Sequence, residues 1–133
     1  MDAESIEDFF APFARVRAKR MFSGHGAYVD EACFALCVMG DIWIKTDDEA
    51  EREALKAAGS RPFAYEKSGG KVVTANAFWK LPDAALDDED ELNRWCRPAL
   101  EAARRTAAQK AAAKARKAAK AARAKKPARA AGG

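Results

Sequence analysis

Arg20-Met21-Phe22-Ser23-Gly24-His25-Gly26-Ala27-Tyr28-Val29 joins a basic, partly apolar segment to a second apolar one across two glycines set one residue apart, and it holds the chain's only histidine. Immediately before it, Val16 and Ala18 alternate with Arg15, Arg17 and Lys19. Period two with polar neighbours predicts a half-exposed strand. Glycines permit positive φ and a tight reversal, so Gly24-His25-Gly26 reads as a hairpin connection and Ala27-Tyr28-Val29 as the start of the return strand.

Downstream, Asp30-Glu31 make the next turn. Cys33 to Met39 is an almost unbroken apolar run, which predicts a central strand shielded on both faces. Gly40-Asp41 reads as a two-residue hairpin turn leading into Ile42-Trp43-Ile44-Lys45. Short connections make antiparallel pairing the default for this meander. A second pair follows: Pro62 opens the extended segment Phe63–Lys67, Ser68-Gly69-Gly70 turns the chain, and Lys71–Trp79 returns.

Three helical patterns surround these strands. Ser5 is placed to cap a helix with Glu7 and Asp8 in its first turn, where the helix dipole favours acids, and with Ile6, Phe9, Phe10 and Phe13 on one apolar face. Pro12 limits its length. Thr46 or Asp47 caps a second helix, which ends where Gly59 supplies a left-handed residue. The third begins in Asp87-Asp88-Glu89-Asp90-Glu91. Its Leu92, Trp95, Cys96, Ala99, Leu100 and Ala103 fall on one core-facing stripe. Pro98 removes a hydrogen bond within it and predicts a kink.

At 133 residues the chain fits one domain with a core of its own. Its net charge of +4 hides an asymmetry: eleven of the 24 lysines and arginines lie from Arg104 onward with no acid among them, leaving 13 basic against 20 acidic residues, or −7, over residues 1–103. We expect two units: an acidic α/β body over 1–103, and an Ala/Lys/Arg-rich tail over 104–133 that forms a fluctuating helix fraying toward Pro127, or is disordered. Fully helical, its first 28 residues would extend roughly 42 Å. Three cysteines in no framework of spacings argue against a secreted disulfide scaffold. The acidic start, followed by no long apolar core, argues against a usual signal peptide, and no apolar stretch is long enough for a membrane helix. The expected setting is the cytoplasm, with no membrane partner.

The candidates for chemistry are few. His25 between two glycines is open to a general-base role, but no acid or nucleophile stands near it in sequence. Cys33, Cys37, Cys96 and His25 have the donor types of a zinc site. Yet Cys33 and Cys37 on one strand lie roughly 13 Å apart, too far to share an ion, so buried structural thiols are favoured. The two-glycine stretch precedes a strand and lacks the third glycine of a dinucleotide fingerprint, and Ser68-Gly69-Gly70-Lys71 lacks the spacing of a phosphate loop. We therefore expect no catalytic residue, no cofactor and no metal. Arg15, Arg17, Lys19 and Arg20 form a cationic strand edge, which serves either to deter edge-to-edge pairing or to meet an anionic partner.

The tail is the strongest physical signal. Arg104, Arg105, Lys110, Lys114, Arg116, Lys117, Lys120, Arg123, Lys125, Lys126 and Arg129 attract polyanions through counterion release. With no aromatic among them to stack on bases, DNA or RNA binding there is expected to be sequence-tolerant and salt-sensitive. A solubilising tail with no ligand is the other reading.

Taken together, Arg20–Asp30, Phe34-Ala35-Leu36, Ile42–Asp47, Gly59–Tyr65, Trp79-Lys80-Leu81-Pro82, Leu92-Asn93-Arg94-Trp95 and Ala99-Leu100 resemble the N-terminal domain of the TfoX (Sxy) family of bacterial competence regulators. The resemblance runs from about Val16 to Ala103. Ser23 and Pro98 depart from the commoner residues, and the full-length regulators carry a second, helical C-terminal domain where this chain has its basic tail. The resemblance implies an α+β fold: two layers, with a twisted, mainly antiparallel five- to six-stranded sheet and about three helices, similar in arrangement to type III secretion chaperones. It implies a non-enzymatic regulatory or interaction domain with a protein partner. A monomer or homodimer is expected, since an exposed edge strand would allow dimers. A protein-binding module with an inert tail, or an uncharacterised enzyme, are the alternatives.

Overall fold

The structure is a computed structural model and describes residues 2–21 and 23–132, with side chains as far as 122. In chain order the elements are α1 (Ala3–Phe10), β1 (Arg17–Met21), β2 (Gly24–Val29), β3 (Ala32–Val38), β4 (Asp41–Lys45), α2 (Glu49–Ala57), β5 (Pro62–Glu66), β6 (Val72–Lys80), a 3-10 turn (Asp83–Leu86) and α3 (Glu89–Gly132). The strands form one sheet in the order β1-β2-β3-β4-β6-β5, antiparallel at every pairing. The architecture is the expected two-layer α+β fold.

Register sorts the sheet's side chains between its two faces. Ala35 stands opposite Ile44, and Ile44 opposite Trp79. These residues join Ile6, Phe10, Leu55, Leu92 and Cys96 in a single core under the helices. Phe10, Phe34, Ile6, Ile44, Leu55 and Cys96 are its largest fully buried side chains. Burying each large one stabilises the fold by about 1.5–3 kcal/mol relative to exposure. Phe34 is the extra residue of a bulge: Ala27 pairs with Ala35, but Tyr28 with Cys33. The bulge frees Phe34 to meet Phe10 edge-on at 5.1 Å and Phe13 at 5.6 Å, which pins α1 to the sheet.

The glycine pair has a different role from the expected one. Gly24, His25 and Gly26 lie inside β2, opposite Met21, Arg20 and Lys19, and the reversal comes earlier, beside Ser23. Phe22 falls outside the described residues. Neither Gly24 nor Gly26 has positive φ. Glycine is required there by close approach. A Cβ on Gly24 would collide with the backbone carbonyl of Cys37, and one on Gly26 would sit 2.8 Å from Met21 Sδ and 2.9 Å from Tyr28 Cε1. Positive φ occurs instead at Met39 and Gly40, which form the β3–β4 turn with φ of 53° and 79°. Asp41 already belongs to β4, so the turn is one residue earlier than Gly40-Asp41.

The helix starts also shift. Asp2, rather than Ser5, caps α1: its Oδ1 accepts the Ser5 N–H at 2.8 Å. Asp48, rather than Thr46 or Asp47, caps α2 by accepting from Glu51. Both sites offer several good capping residues within three positions, and propensity alone does not choose between them. Gly59 (φ 87°) ends α2 as expected, with Ser60 N–H donating to Leu55 and Gly59 N–H to Lys56. Asp88 Oδ1 accepts from Asp90 and Glu91 at the start of α3. From there α3 runs as one helix through Pro98 into the Ala/Lys/Arg-rich segment. Among the described residues no helix is long and apolar enough to cross a membrane.

Candidate functional site

His25 sits in β2 between Arg20 and Cys37, and the three residues line a shallow groove with Ser23, Gly24 and Met39. Cys33, Cys37 and Cys96 are free thiols. Burial pushes Cys37 up to about 11 and Cys96 up to about 12, so both are un-ionised and poorly nucleophilic near neutrality. Among the described residues no cluster of three or more His, Cys, Asp or Glu is placed to hold a metal ion.

The face of the sheet turned away from the core carries a different chemistry. Trp43 stands opposite Leu36 on β3 and Lys80 on β6, and Lys45 stands opposite Phe78. Rings on this face are topped by cations. Lys19 Nζ lies 4.6 Å from the Tyr28 centroid and Lys45 Nζ 4.9 Å from that of Phe78, while the Arg61 guanidinium is 5.6 Å from the Trp43 ring. Each such contact is worth about 0.5–1 kcal/mol where exposed. Phe63 meets Trp43 edge-on at 5.0 Å and stacks with Tyr65 at 5.9 Å. The acids gather on the opposite layer: Glu4, Glu7 and Asp8 on α1, Glu49, Glu51 and Glu53 on α2, and Glu89, Asp90 and Glu91 at the start of α3. The helix layer thus leans acidic, although Arg52 and Arg94 pair there with Glu49 and Glu51, and on the open face Asp41 pairs with Lys80.

Past Ala103, α3 borders this second face. Thr106, Ala107 and Lys110 line a cleft of about 360 Å³ whose other side is built from Tyr28, Cys33, Lys45 and Phe78, with Glu31 the one acid in the lining. Burial pulls the Lys45 ammonium below the ordinary lysine range, with the Lys110 charge acting in the same direction. Burial also pushes the Cys33 thiol up, so the cleft floor is neutral and its cations come from Lys45 and Lys110.

Among the described side chains, seven of the eleven tail cations fall into three groups. Arg105 is committed to the body: its Nε and Nη2 donate to both Asp47 carboxylate oxygens at 2.7 and 2.6 Å. Lys110 faces the cleft. Arg104, Lys114, Arg116, Lys117 and Lys120 are exposed to solvent. Arg123, Lys125, Lys126 and Arg129 lie outside the residues whose side chains are described. Lys114 and Lys117 follow Lys110 at i+4 and i+7, the same helix face on which Ala103, Thr106 and Ala107 meet the body. Lys19 belongs to the cationic strand edge singled out in the sequence, whereas Lys45, Tyr28 and Phe78 were not among the sequence candidates. Only strand register and the bulge at Phe34 bring them together, and neither can be read from one segment.

Two comparisons bear on kinship. No match is found among curated proteins. A family model described as the TfoX N-terminal domain matches residues 8–103, from within α1 to the point where α3 leaves the core. That span takes in the whole sheet, all of α2 and the core-facing part of α3, and the chain belongs to the TfoX N-terminal domain family.

Proposed function

We propose that this chain is a non-enzymatic regulatory or interaction domain whose basic helix gives it sequence-tolerant affinity for nucleic acid, in a role related to transcription or competence. One observation carries the reading: five exposed cations, Arg104, Lys114, Arg116, Lys117 and Lys120, lie on a helix that continues out of an acidic body, with no acid beyond Glu101 to neutralise them. Counterion release makes such a helix a polyanion ligand whatever the base sequence. A protein partner engages the folded body, which works as a monomer or homodimer in the cytoplasm.

The test is binding of a mixed-sequence DNA duplex across a salt series, using the full chain and a variant with Lys114, Arg116, Lys117 and Lys120 all replaced by glutamine. The full chain should bind with affinity falling steeply as salt rises, and the variant should show a shallower slope by roughly three to four charges. Equal binding by the two, or none by either, leaves the protein-binding module with an inert tail as the better reading.

A further inference from the structure

We propose that the cleft between α3 and the open sheet face is a single-strand nucleic-acid subsite, with a base lying against Phe78 or Tyr28 and its phosphate held between Lys45 and Lys110. The proposal rests on the nucleic-acid reading above and makes it specific: the strand is single, and it touches the body as well as the helix.

Three independent features point to this occupant. The cleft volume, about 360 Å³, falls within the range of roughly 300–1,000 Å³ of small-ligand sites. Its lining sets Tyr28 and Phe78 beside Lys45 and Lys110, with Lys45 Nζ resting 4.9 Å from the Phe78 centroid; Lys19, outside the lining, lies 4.6 Å from that of Tyr28. A cation over a ring marks a face open to an electron-poor or planar group. A base can take that place while the displaced ammonium turns to its phosphate. A local charge bias supplies the third feature: the cleft lining holds Lys45 and Lys110 against the single acid Glu31, while the helix layer leans acidic. A duplex keeps its base faces inside the stack and can use only the charges. An acidic peptide would use the lysines but has no need of the rings. The stripe Lys110, Lys114, Lys117 then carries the backbone onward, over roughly 10 Å of helix.

The experiment uses the full chain and fluorescence anisotropy, with a short mixed-sequence labelled strand and the same strand annealed to its complement. Wild type should prefer the single strand. Lys110→Gln should lower single-strand affinity about fivefold or more, whereas Lys117→Gln, beyond the cleft, should lower it no more than about twofold. Phe78→Leu should cost about tenfold on the single strand and nothing on the duplex. Lys110 is exposed on a helix, so its variant keeps the fold, and a thermal melt of Phe78→Leu checks the other. Equal affinity of wild type for both probes, equal losses from Lys110→Gln and Lys117→Gln, or a folded Phe78→Leu that binds the strand normally would each overturn the subsite. Displacement of the strand from wild type and Phe78→Leu alike by polyglutamate of equal charge would also overturn it, in favour of an acidic peptide. The salt slope on duplex alone decides the tail reading, so the two proposals fail separately.

Discussion

Arg105 grips both carboxylate oxygens of Asp47, at 2.7 and 2.6 Å, and so fastens α3 to the loop before α2 just beyond the core. The hydrogen bond from Arg105 holds the Asp47 carboxyl below its ordinary value of 3.8. A depressed folded value adds stability that is present above the unfolded value and is lost as pH falls through the folded one. Asp47→Asn should therefore lower Tm at pH 7, by ~2 °C or less for so exposed a pair. The gap should close below pH 3.8 and shrink in high salt. A gap that stays constant down to acid pH would show that the pair contributes nothing.

Gly24 and Gly26 should respond differently to alanine. At Gly24 the added methyl meets backbone, the Cys37 carbonyl, which cannot move without parting β2 from β3. Gly24→Ala should cost about 2 kcal/mol or more in urea unfolding. At Gly26 the nearest atoms, Met21 Sδ at 2.8 Å and Tyr28 Cε1 at 2.9 Å, belong to side chains, which can shift where the backbone at Gly24 cannot. That substitution should cost about 1 kcal/mol or less, partly offset by the better strand propensity of alanine. If the order is reversed, the strand placement of the glycine pair is wrong.

Met39 is 72% exposed and has φ 53° ahead of Gly40, in a turn whose two central residues both have positive φ. Asparagine tolerates that conformation better than methionine, and Asn-Gly is the favoured pair. Met39→Asn should stabilise the protein by about 0.5 kcal/mol, read as a higher urea midpoint at unchanged m. A lower midpoint would mean that Met39 makes apolar contacts worth more than the turn strain.

Phe34→Ala should cost about 3–5 kcal/mol, because it empties a fully buried site and removes the ring that α1 packs against. Far-UV dichroism with amide exchange would place the loss. Protection in α1 should fall first, and uniform loss across the sheet would argue against the bulge as the anchor.

Thiol labelling separates the cysteines. In the native state at pH 8, Cys96 should stay unmodified until the protein unfolds, since it is 0% exposed and un-ionised with its value near 12. Cys33, only half-buried, should react first of the three. Mass spectrometry after a timed pulse reads the order, and early modification of Cys96 would contradict its burial.

What could be read from the sequence was local. Period-two alternation located β1, and the helical stripe from Leu92 to Ala103 located the core face of α3. Gly59 marked the end of α2 because a left-handed residue after a helix is a local demand. In sequence the glycine pair reads as a turn, because its actual reason is not local. Close approach to Cys37 and Tyr28 depends on the neighbouring strands, and a glycine in a turn looks the same in sequence. The cleft was invisible for a similar reason. Lys45 and Phe78 meet only through the β4–β6 register, and Tyr28 and Cys33 share a face only because Phe34 bulges. Nor could Arg105 be told from its ten basic companions, when its partner lies fifty-eight residues away.

The continuity of α3 beyond the body has a kinetic consequence. From Lys110 to Lys120 the helix advances about 15 Å, nearly twice the screening length of about 8 Å at physiological ionic strength. Its outer charges are thus shielded from the acids of the body and act as a separate electrostatic object. On the nucleic-acid function proposed above, an approaching polyanion would feel these charges before the repulsion of the acidic helices, and the torque would turn the molecule helix-first. Encounter should then be fast and pre-oriented at low salt, and it should lose both speed and orientation together as salt rises.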